Sequence, residues 1–371
     1  MRFGIEAGSW VNPRGFGRFL RALFGELARR RRNEWVLAMD APTARAANLP
    51  DAIPRQVIAT DRAAAHGAAA GHRRSLREML RMSRGLARGG YDAILFPSQH
   101  TYVPVPRARE ILIVHDVTAE RYPLLVFESA LAARRWRWKT SVAMRRARRI
   151  ITVSEHSRRG IAEFYGVDPA KILVAPEAPD PVFLTPAHPV VRARPYVLFV
   201  GGFSPHKNLG VLFEALERLP DLDLVLAGPV KRDLFHTGDL TSTIQMLGLT
   251  DRVETIADAD DEALRDLYAG ALALVLPSLE EGFGLPAVEA AAVGTPLVLS
   301  KTTAASDIFG DAALHFDPQD AAELAHQIER LRDNPERLRD LSQRGKARAR
   351  AMTWEKAGEV VDRAAEEVAA S

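Results

Sequence analysis

A strand-like run that leads into glycines and a lysine has the clearest chemical meaning in the sequence. The run Tyr196–Val200 is followed by Gly201–Gly202, and Lys207 precedes a helical pattern that opens near Asn208. A strand, a tight glycine turn and a helix start direct free backbone amides and the positive end of the helix dipole at an anion. A charge-assisted hydrogen bond contributes about 1.5–3 kcal/mol against about 0.3–1 kcal/mol for the dipole, so Lys207 is predicted to dominate diphosphate affinity. The alternative is a plain turn with a surface lysine.

A second loop places two carboxylates around a glycine turn. Glu281 and Glu289 flank a segment in which Gly282 and Gly284 allow the backbone to approach a ligand closely. Pro286 suits a helix start, which leaves Glu289 one turn inside that helix and directed back to the loop. Carboxylates accept directional, charge-assisted hydrogen bonds from sugar hydroxyls. This loop is therefore predicted to bind sugar hydroxyls, and an ordinary solvated Glu289 is the alternative.

Asp258–Ala259–Asp260 spells the D-x-D pattern by which some enzymes hold a divalent ion. It immediately precedes a helical pattern that starts at Asp261, where acidic residues act as caps and dipole partners. The capping interpretation is preferred, and no metal is predicted.

The elements that position these loops alternate between strands and helices. Continuous apolar runs are typical of strands buried on both faces of a parallel sheet, so both halves of the chain are predicted to be α/β. The strand-like runs are Trp35–Met39, Ala93–Phe96, Ile111–Val114, Ile150–Val153, Tyr196–Val200, Leu222–Ala227, Val253–Ile256, Ala273–Leu276 and Pro296–Leu299. A proline-rich stretch over 175–195 is predicted to link the two halves. The charged helical pattern after about Asp333, with a break near 352–354, could return to the first half.

The bulk composition sets limits. A chain of 371 residues is predicted to form two domains, which implies a cleft. Its net charge of +3 selects no partner, and the absence of cysteine excludes disulfides. The N-terminal MRFGIEAGSW resembles a first strand and a glycine turn more than a signal peptide, so a cytoplasmic protein is expected. The apolar runs are too short to span a bilayer.

Arginines recur at three- and four-residue intervals in one segment and form a basic helix stripe. These are Arg73, Arg77, Arg81, Arg84 and Arg88. A second segment, 121–159, is rich in Lys and Arg with Trp136 and Trp138 interleaved. A basic face with interfacial aromatics suits an anionic membrane and a lipid-linked acceptor at its inner face. An arginine-rich solvated surface is the alternative.

Together these segments resemble the retaining glycosyltransferases of family 4. The "GG…KN" turn and the "EGFGLP…E" loop carry the resemblance, supported by RGFGR (14–18), HDV (115–117), VSEHSRRGI (from Ser154), LAGP (226–229) and the SKTTAASDIFGDAALHFDP segment. The resemblance implies the GT-B fold: α/β, with two Rossmann-like domains whose parallel sheets face each other across a cleft. The expected domains are 1–185 and 186–354, with a helix over about 355–371 that packs back on the first.

The resemblance also implies roles for particular residues. Lys207 would hold the donor diphosphate and Glu289 the ribose, while Glu281 would grip the donor sugar. Catalytic positions fall on His115, Asp116, Lys207 and Glu281. Donor-binding positions fall on Gly15, Gly17, Arg18, Gly202, Phe203, Ser204, Lys207, Asp258, Ala259, Glu281, Gly282, Phe283, Gly284, Leu285 and Glu289. The enzyme would mainly stabilise charge on the leaving phosphate. Many relatives carry arginines where this chain has Gly202 and His206, so a second phosphate-binding cation is missing; either His206, Arg18 or a residue of the other domain compensates, or the leaving group is stabilised less than usual.

The expected activity is metal-independent transfer of a sugar, with GDP-mannose as the best guess for the donor, to a saccharide or lipid-linked acceptor with retention of configuration. No cofactor is expected, because the nucleotide sugar is a substrate. A sugar-nucleotide epimerase or hydrolase of the same architecture is one alternative. A non-catalytic nucleic-acid-binding protein is another, although no RNA-binding module pattern is present.

Overall fold

The computed structural model describes residues 1–12, 15–47, 49–62, 75–228 and 240–371. Arg14, Arg73 and Pro229, which belong to segments singled out above, lie outside the described residues. The chain divides into a first unit, Met1–Glu177 with Trp354–Ser371, and a second unit, Ala178–Thr353. The first unit thus ends slightly before the expected boundary at residue 185.

The first unit is built on a parallel sheet with helices packed on it. Its described strands are β1 (Arg2–Glu6), β2 (Glu34–Asp40), β3 (Arg55–Ile58), β4 (Ala93–Phe96), β5 (Glu110–Ile113), β6 (Arg149–Thr152) and β7 (Ile172–Val174). They lie in the order β3-β2-β1-β4-β5-β6-β7. Its described helices are α1 (Gly15–Arg30), α2 (Ala41–Ala47), α3 (Leu76–Ala87), α4 (Thr118–Arg121), α5 (Pro123–Val126), α6 (Ala130–Arg146) and α7 (Glu155–Tyr165), completed by the C-terminal α15 (Trp354–Ala370).

The second unit repeats this plan with a smaller sheet. Its described strands are β8 (Tyr196–Val200), β9 (Asp223–Ala227), β10 (Val253–Ile256), β11 (Ala273–Leu276), β12 (Leu297–Ser300) and β13 (Leu314–Phe316), in the order β10-β9-β8-β11-β12-β13. Its described helices are α8 (Leu209–Glu217), α9 (Leu240–Met246), α10 (Asp261–Gly270), α11 (Leu285–Val293), α12 (Ala304–Phe309), α13 (Ala321–Arg332) and α14 (Pro335–Arg350).

Every recorded strand pairing is parallel, which confirms the predicted α/β class. The central strands are buried along their whole length, as in β4 and β11, because helices cover both faces. The sequence analysis missed β3 and β7, which form the two edges of the first sheet. Strand β3 is partly exposed and lacks the continuous apolar run that marks a buried strand, whereas β7 is apolar but only three residues long.

Helix α15 completes the first unit, packing on α1 and on strands β4 to β7. A carboxylate fixes it there: Asp362 is fully buried and accepts hydrogen bonds from Arg30 Nε at 2.9 Å and Trp35 Nε1 at 3.0 Å. Asn33 Nδ2 donates to Asp362 Oδ1, the oxygen that also accepts from Trp35, at 3.1 Å. A buried charge is tolerated when it is paired and hydrogen-bonded in this way.

The proline-rich stretch over 175–195 begins in the first unit and then packs on the second. His188 N donates to Asp266 Oδ1 at 3.0 Å, and Arg265 Nη1 donates to Thr185 Oγ1 at 2.8 Å. Most of the predicted linker therefore belongs to the second unit and is held by α10, and it includes a short 3₁₀ helix at Pro181–Leu184 where extended backbone was expected.

Candidate functional site

The two loops with the clearest chemistry follow neighbouring strands of the second sheet. Lys207 follows β8 and Glu281 follows β11, and the strand order reverses between these two strands. In open parallel sheets, ligands bind outside the carboxyl ends of the strands at such a reversal. The topology therefore brings both predicted loops to the favoured binding edge.

An ion pair joins the two loops at this edge. Lys207 Nζ donates to Glu281 Oε2 at 2.5 Å, and Ser278 Oγ donates to the same oxygen at 3.2 Å. Burial by itself raises the pKa of the Glu281 carboxyl, but the Lys207 ammonium, with help from His206 and Ser278, holds that pKa below its ordinary value. The described site thus contains an ionised carboxylate matched by an ammonium group.

The turn after β8 is held in place by Asn208. Pro205–Lys207 form a 3₁₀ turn, and Asn208 adopts a left-handed conformation with φ of 56° before α8 starts. Its side-chain amide donates to the carbonyl of Pro277 at 3.1 Å and to that of Pro318 at 2.7 Å. Asn208 therefore ties the lysine turn to the loops that follow β11 and β13, a role that sequence analysis did not assign.

The glycine turn leaves open space above the strands. A Cβ atom at Gly202 would meet nothing within 4 Å, whereas one at Gly228 would lie 2.0 Å from the Gly201 carbonyl oxygen. Phe203 is buried, and Ser204 precedes the 3₁₀ turn, with its hydroxyl 3.4 Å from His206 Nε2. Close chain packing thus accounts for Gly228, whereas a side chain at Gly202 would meet open space.

The second loop turns sharply at Gly284 before α11. Gly284 has φ of 87°, and a Cβ there would lie 2.8 Å from Ala305 Cβ, so both conformation and space require glycine. Gly282 and Phe283 are buried, and Leu285 begins the helix. Glu289 is 1% exposed and accepts a hydrogen bond from Tyr268 Oη at 3.1 Å. The alternative of a solvated Glu289 is therefore wrong.

In the first unit, His115 is enclosed at the carboxyl end of β5. Its Nε2 lies 3.1 Å from the Pro97 carbonyl oxygen and its Nδ1 lies 3.6 Å from Glu177 Oε1. The edges or faces of Phe16 and Phe19 contact its ring. Both ring nitrogens thus face groups of the first unit itself, which the sequence did not predict. The neighbouring Asp116 accepts a hydrogen bond from Thr118 N at 2.9 Å.

The glycine-rich segment near the N-terminus packs against its own chain. Gly15 begins α1, and a Cβ at Gly17 would lie 1.9 Å from the Asn12 carbonyl oxygen. Arg21 Nη1 donates to the carbonyls of Trp10 at 2.6 Å and Asn12 at 3.2 Å, which holds the loop against the helix. Arg18 is half-buried. The loop geometry explains Gly17 by close backbone packing, so its contact with a diphosphate stays a prediction.

The D-x-D segment ends at a helix cap. Asp260 Oδ1 accepts a hydrogen bond from Ala263 N at 2.8 Å at the start of α10, as the capping interpretation predicts. Asp258 is exposed and Ala259 half-buried in the loop before it. Across the described ranges, no three acidic or histidine side chains come together as a potential metal site.

Two helices of the first unit present exposed basic and apolar side chains. On α3, Leu76 is 77% exposed and lies beside the described arginines of the stripe, which are also exposed; these are Arg77, Arg81, Arg84 and Arg88. On α6, Trp138 is 72% exposed, but Trp136 is buried and donates to Glu120 Oε1 at 2.7 Å. The expectation of two surface tryptophans is therefore wrong for Trp136. No described helix is long and apolar enough to cross a membrane.

These features define a class: parallel α/β proteins of two units with a cation and carboxylates at the strand-order reversal of the second sheet. The family model for glycosyl transferases group 1 matches residues 185–348, and the model for glycosyltransferase family 4 matches residues 13–183. The chain belongs to this glycosyltransferase group, as the resemblance predicted.

Two relatives are mannosyltransferases. An MMP α-(1→4)-mannosyltransferase of Mycolicibacterium hassiacum is 34% identical over 260 residues, which cover 65% of this chain and 61% of the relative. The O-antigen chain mannosyltransferase B of Escherichia coli is 29% identical over 286 residues, covering 71% of this chain and 72% of the relative. The chain thus matches somewhat less than two thirds of the first of these proteins.

Solved structures resemble the chain over its whole length. Sucrose-phosphate synthase of Thermosynechococcus elongatus has a TM-score of 0.76 at 20% identity and covers 100% of both chains. HepE of Anabaena, in complex with UDP and glucose, has a TM-score of 0.73 at 17% identity and covers 99% of this chain and 100% of its own. At these identities the likeness concerns the fold alone, and it confirms the predicted GT-B class.

Proposed function

We propose that the protein transfers a sugar from a nucleotide-diphosphate donor to a saccharide or lipid-linked acceptor with retention of anomeric configuration, in the assembly of a surface polysaccharide or glycolipid. One observation carries the proposal: Lys207 and Glu281 are paired at the strand-order reversal of the second sheet. A cation for phosphate and a carboxylate for sugar hydroxyls there meet the needs of a nucleotide sugar.

In this proposal, different residues of the second unit bind different parts of the donor. Lys207 and the backbone around Gly202–Ser204 bind the diphosphate, which gains from the start of α8 behind it. Glu281 and the amides of Phe283–Leu285 bind the sugar and its phosphate. Glu289, which Tyr268 orients, accepts hydrogen bonds from the ribose hydroxyls. The loop at Asp258–Ala259 passes the base.

The residues proposed from the first unit follow from the family resemblance. His115 and Asp116 face the donor sugar, and Gly15, Gly17 and Arg18 approach the diphosphate. For His115 to bind a sugar hydroxyl, one of its ring nitrogens must exchange its present neighbour, Pro97 O or Glu177, for the sugar.

The proposed chemistry depends on stabilising the leaving group. As the bond from the anomeric carbon to phosphate breaks, charge develops on the diphosphate, and groups aimed at that charge lower the barrier. Lys207 is the described residue best placed for this. The acceptor proton passes to the leaving phosphate, so no separate general base is required.

GDP-mannose is the proposed donor. Both reported relatives are mannosyltransferases by name, which favours a mannosyl donor. The solved HepE structure contains UDP and glucose, which makes a uridine nucleotide the competing outcome. A panel of sugar nucleotides separates them by thermal stabilisation, because a ligand that binds only the folded state raises the melting temperature. At a concentration of 100 times its Kd, the donor adds about 2.7 kcal/mol to the free energy of unfolding. The melting temperature then rises by about 5–10 °C.

Product analysis then tests the reaction type. With a saccharide acceptor, the proposal expects a new glycoside whose anomeric configuration matches that of the donor, detected by NMR. Release of nucleoside diphosphate without a glycoside supports the epimerase or hydrolase alternative instead. Absence of any sugar-nucleotide binding, together with salt-sensitive binding to nucleic acid, supports the nucleic-acid-binding alternative.

An anionic membrane surface is the proposed partner for the basic helices of the first unit, which would place the protein at the inner face of the membrane. Basic residues attract anionic lipid by about 1 kcal/mol each near the surface, and exposed apolar side chains such as Leu76 and Trp138 add burial in the headgroup region. In a flotation assay, vesicles with anionic lipid should carry the protein and neutral vesicles should not. Arg77→Glu with Arg84→Glu should weaken flotation, whereas Arg339→Glu on α14 should not.

A further inference from the structure

Glu281 stands directly beside the cation on which diphosphate binding depends. Its Oε2 accepts from both Lys207 Nζ, at 2.5 Å, and Ser278 Oγ, at 3.2 Å. Ser278 is buried, and the Lys207 and Glu281 side chains are only 20% and 21% exposed, so water screens their charges weakly. An incoming phosphate therefore meets a lysine whose charge is already matched by a carboxylate.

The neighbouring groups keep that carboxylate charged and in place. Lys207, His206 and Ser278 all favour its ionised form. The backbone N–H of Leu279 donates to the His206 carbonyl at 2.9 Å, and Ala304 N donates to the Glu281 carbonyl at 3.1 Å. The main chain of this loop is thus held on both sides, and Lys207 and Ser278 hold the Glu281 carboxylate at the site.

Donor and product differ in charge at the phosphate nearest the sugar. The acceptor oxygen forms a bond to the anomeric carbon while the bond from that carbon to the phosphate oxygen breaks, and the electron pair stays on the phosphate. The acceptor proton passes to this phosphate and is then largely lost to water, because the second pKa of a phosphate monoester is about 6. At pH 7 the product therefore carries about one more negative charge, on the oxygen that pointed at the sugar.

Resting on the proposed function, we propose that Glu281 makes the site discriminate against the nucleoside diphosphate product relative to the intact nucleotide sugar, which speeds product release. The carboxylate accepts hydrogen bonds from a sugar when the sugar is present. When the sugar has left, the same carboxylate faces the extra charge and repels it. Ser278 acts as a positioning residue that holds Glu281 Oε2 for this purpose.

The test compares GDP with GDP-mannose in buffer without divalent cations. Glu281→Gln keeps the shape of the side chain and removes its charge, so calorimetry at pH 7.5 should show GDP binding about tenfold tighter than to the wild type. GDP-mannose binding should change less than about threefold, because lost sugar contacts offset the relieved repulsion. The matched control is Glu254→Gln, which removes a carboxylate paired with Arg192 at the opposite, amino-terminal end of the sheet and should change neither constant.

The possible outcomes separate the two proposals. If Glu281→Gln binds GDP and GDP-mannose more tightly by the same factor, or binds GDP no more tightly than the wild type does, the proposed role of Glu281 is wrong. The proposed donor site is unaffected by either result. Failure of the wild type to bind GDP, GDP-mannose, UDP or UDP-glucose overturns the proposed function, and the role of Glu281 with it.

A second measurement needs no variant. In the wild type, the dissociation constant of GDP divided by that of GDP-mannose should rise severalfold from pH 5.5 to 7.5, as the terminal phosphate of GDP loses its second proton. Glu281, Lys207 and His206 all face this phosphate in the proposed complex, so the ratio measures their combined effect on its added charge. A ratio that stays constant or falls overturns the proposal.

Discussion

Lys207 is the single residue on which the proposed donor site depends most. Its ammonium group lies against Glu281, and its backbone N–H donates to the Ser204 carbonyl at 2.8 Å within the 3₁₀ turn. The side chain is therefore already ordered at the edge of the second sheet, which reduces the entropy that phosphate binding would otherwise cost.

Lys207→Ala should weaken diphosphate binding by about 10- to 150-fold, which corresponds to the loss of about 1.5–3 kcal/mol from a charge-assisted hydrogen bond. Calorimetry with GDP or UDP measures this change. Lys301→Ala is the matched control, because Lys301 also pairs with a carboxylate, Glu323, at 2.8 Å. Equal losses in the two variants would count against a specific role for Lys207.

Glu281 should make stability depend on pH in the acid range. Its pKa in the folded protein lies below the ordinary value of 4.5, so its contribution is fully present above that value and is lost as pH falls through the folded-state pKa. The difference in unfolding free energy between wild type and Glu281→Gln should therefore shrink from pH 6 to pH 3, as measured by urea unfolding. In Lys207→Ala the carboxyl loses its cation and burial raises its folded-state pKa, so this loss of stability on acidification should disappear.

At the scale of elements, short turns rather than long helices determine the geometry of the site. Asn208 combines a left-handed backbone with two side-chain donations, to the carbonyls of Pro277 and Pro318. These contacts join the turn after β8 to two other loops. The site thus depends on a residue that has no chemical role of its own.

Two substitutions at Asn208 separate its two properties. Asn208→Gly keeps the left-handed conformation but loses the donors, while Asn208→Asp also places a carboxylate against two carbonyl oxygens. Urea unfolding should rank the wild type above Gly and Gly above Asp, with about 1–3 kcal/mol lost for Asp. Thermal stabilisation by GDP-mannose should fall in the same order. If the Asn208→Asp variant were as stable as the wild type, the proposed role of the Asn208 hydrogen bonds in joining the loops would be wrong.

Gly17 and Gly25, both on α1, provide a matched pair. A Cβ at Gly17 would collide with the Asn12 carbonyl at 1.9 Å, whereas one at Gly25 would meet nothing within 4 Å. Gly17→Ala should destabilise the first unit because backbone must shift. Gly25→Ala should instead stabilise it by about 0.5–1 kcal/mol through higher helix propensity. Thermal unfolding of both variants checks the contrast, and equal effects would rule out the packing explanation.

The sequence predicted best the strands in which every residue is buried. The runs at Ala93–Phe96 and Ala273–Leu276 are strands with those bounds, because full burial demands continuous apolar residues. The edge strand β3 carries no such run. In the site, the sequence identified Lys207 and Glu281 as candidates from their residue types and positions. It did not predict that they contact each other, because that contact depends on the order of the strands in the sheet. Ser278, Tyr268 and Glu177 act through tertiary contacts that no local pattern reveals.

At the scale of the whole molecule, the last helix closes the first unit. Asp362 on α15 accepts from Arg30, Asn33 and Trp35, residues more than three hundred positions earlier in the chain. Sequence analysis suggested such a return from the charged helical pattern alone. Only the structure shows that Asp362 is the residue that holds this helix in place.

Asp362→Ala should destabilise the first unit by about 3–5 kcal/mol, because it leaves the half-buried Arg30 with only the exposed Glu359, at 3.7 Å, and takes away the acceptor of the buried Trp35 Nε1. Urea unfolding followed by tryptophan fluorescence reports on that unit, because all five tryptophans of the chain belong to it. Glu367→Ala is the control: its pair with Arg149 is 44% and 37% exposed and should contribute less than about 1 kcal/mol. Similar losses in both variants would contradict a special role for Asp362.

The return of α15 should also reverse the order in which the two halves complete their folding during translation. Residues 178–353 are all synthesised before Trp354, so the second sheet can acquire its helices while β4 to β7 still lack α15. The half made first on the ribosome is therefore finished last, in contrast to the usual N-terminal-first sequence. A chain truncated after Thr353 and released from the ribosome should carry a protease-resistant second half and a first half that still recruits chaperones.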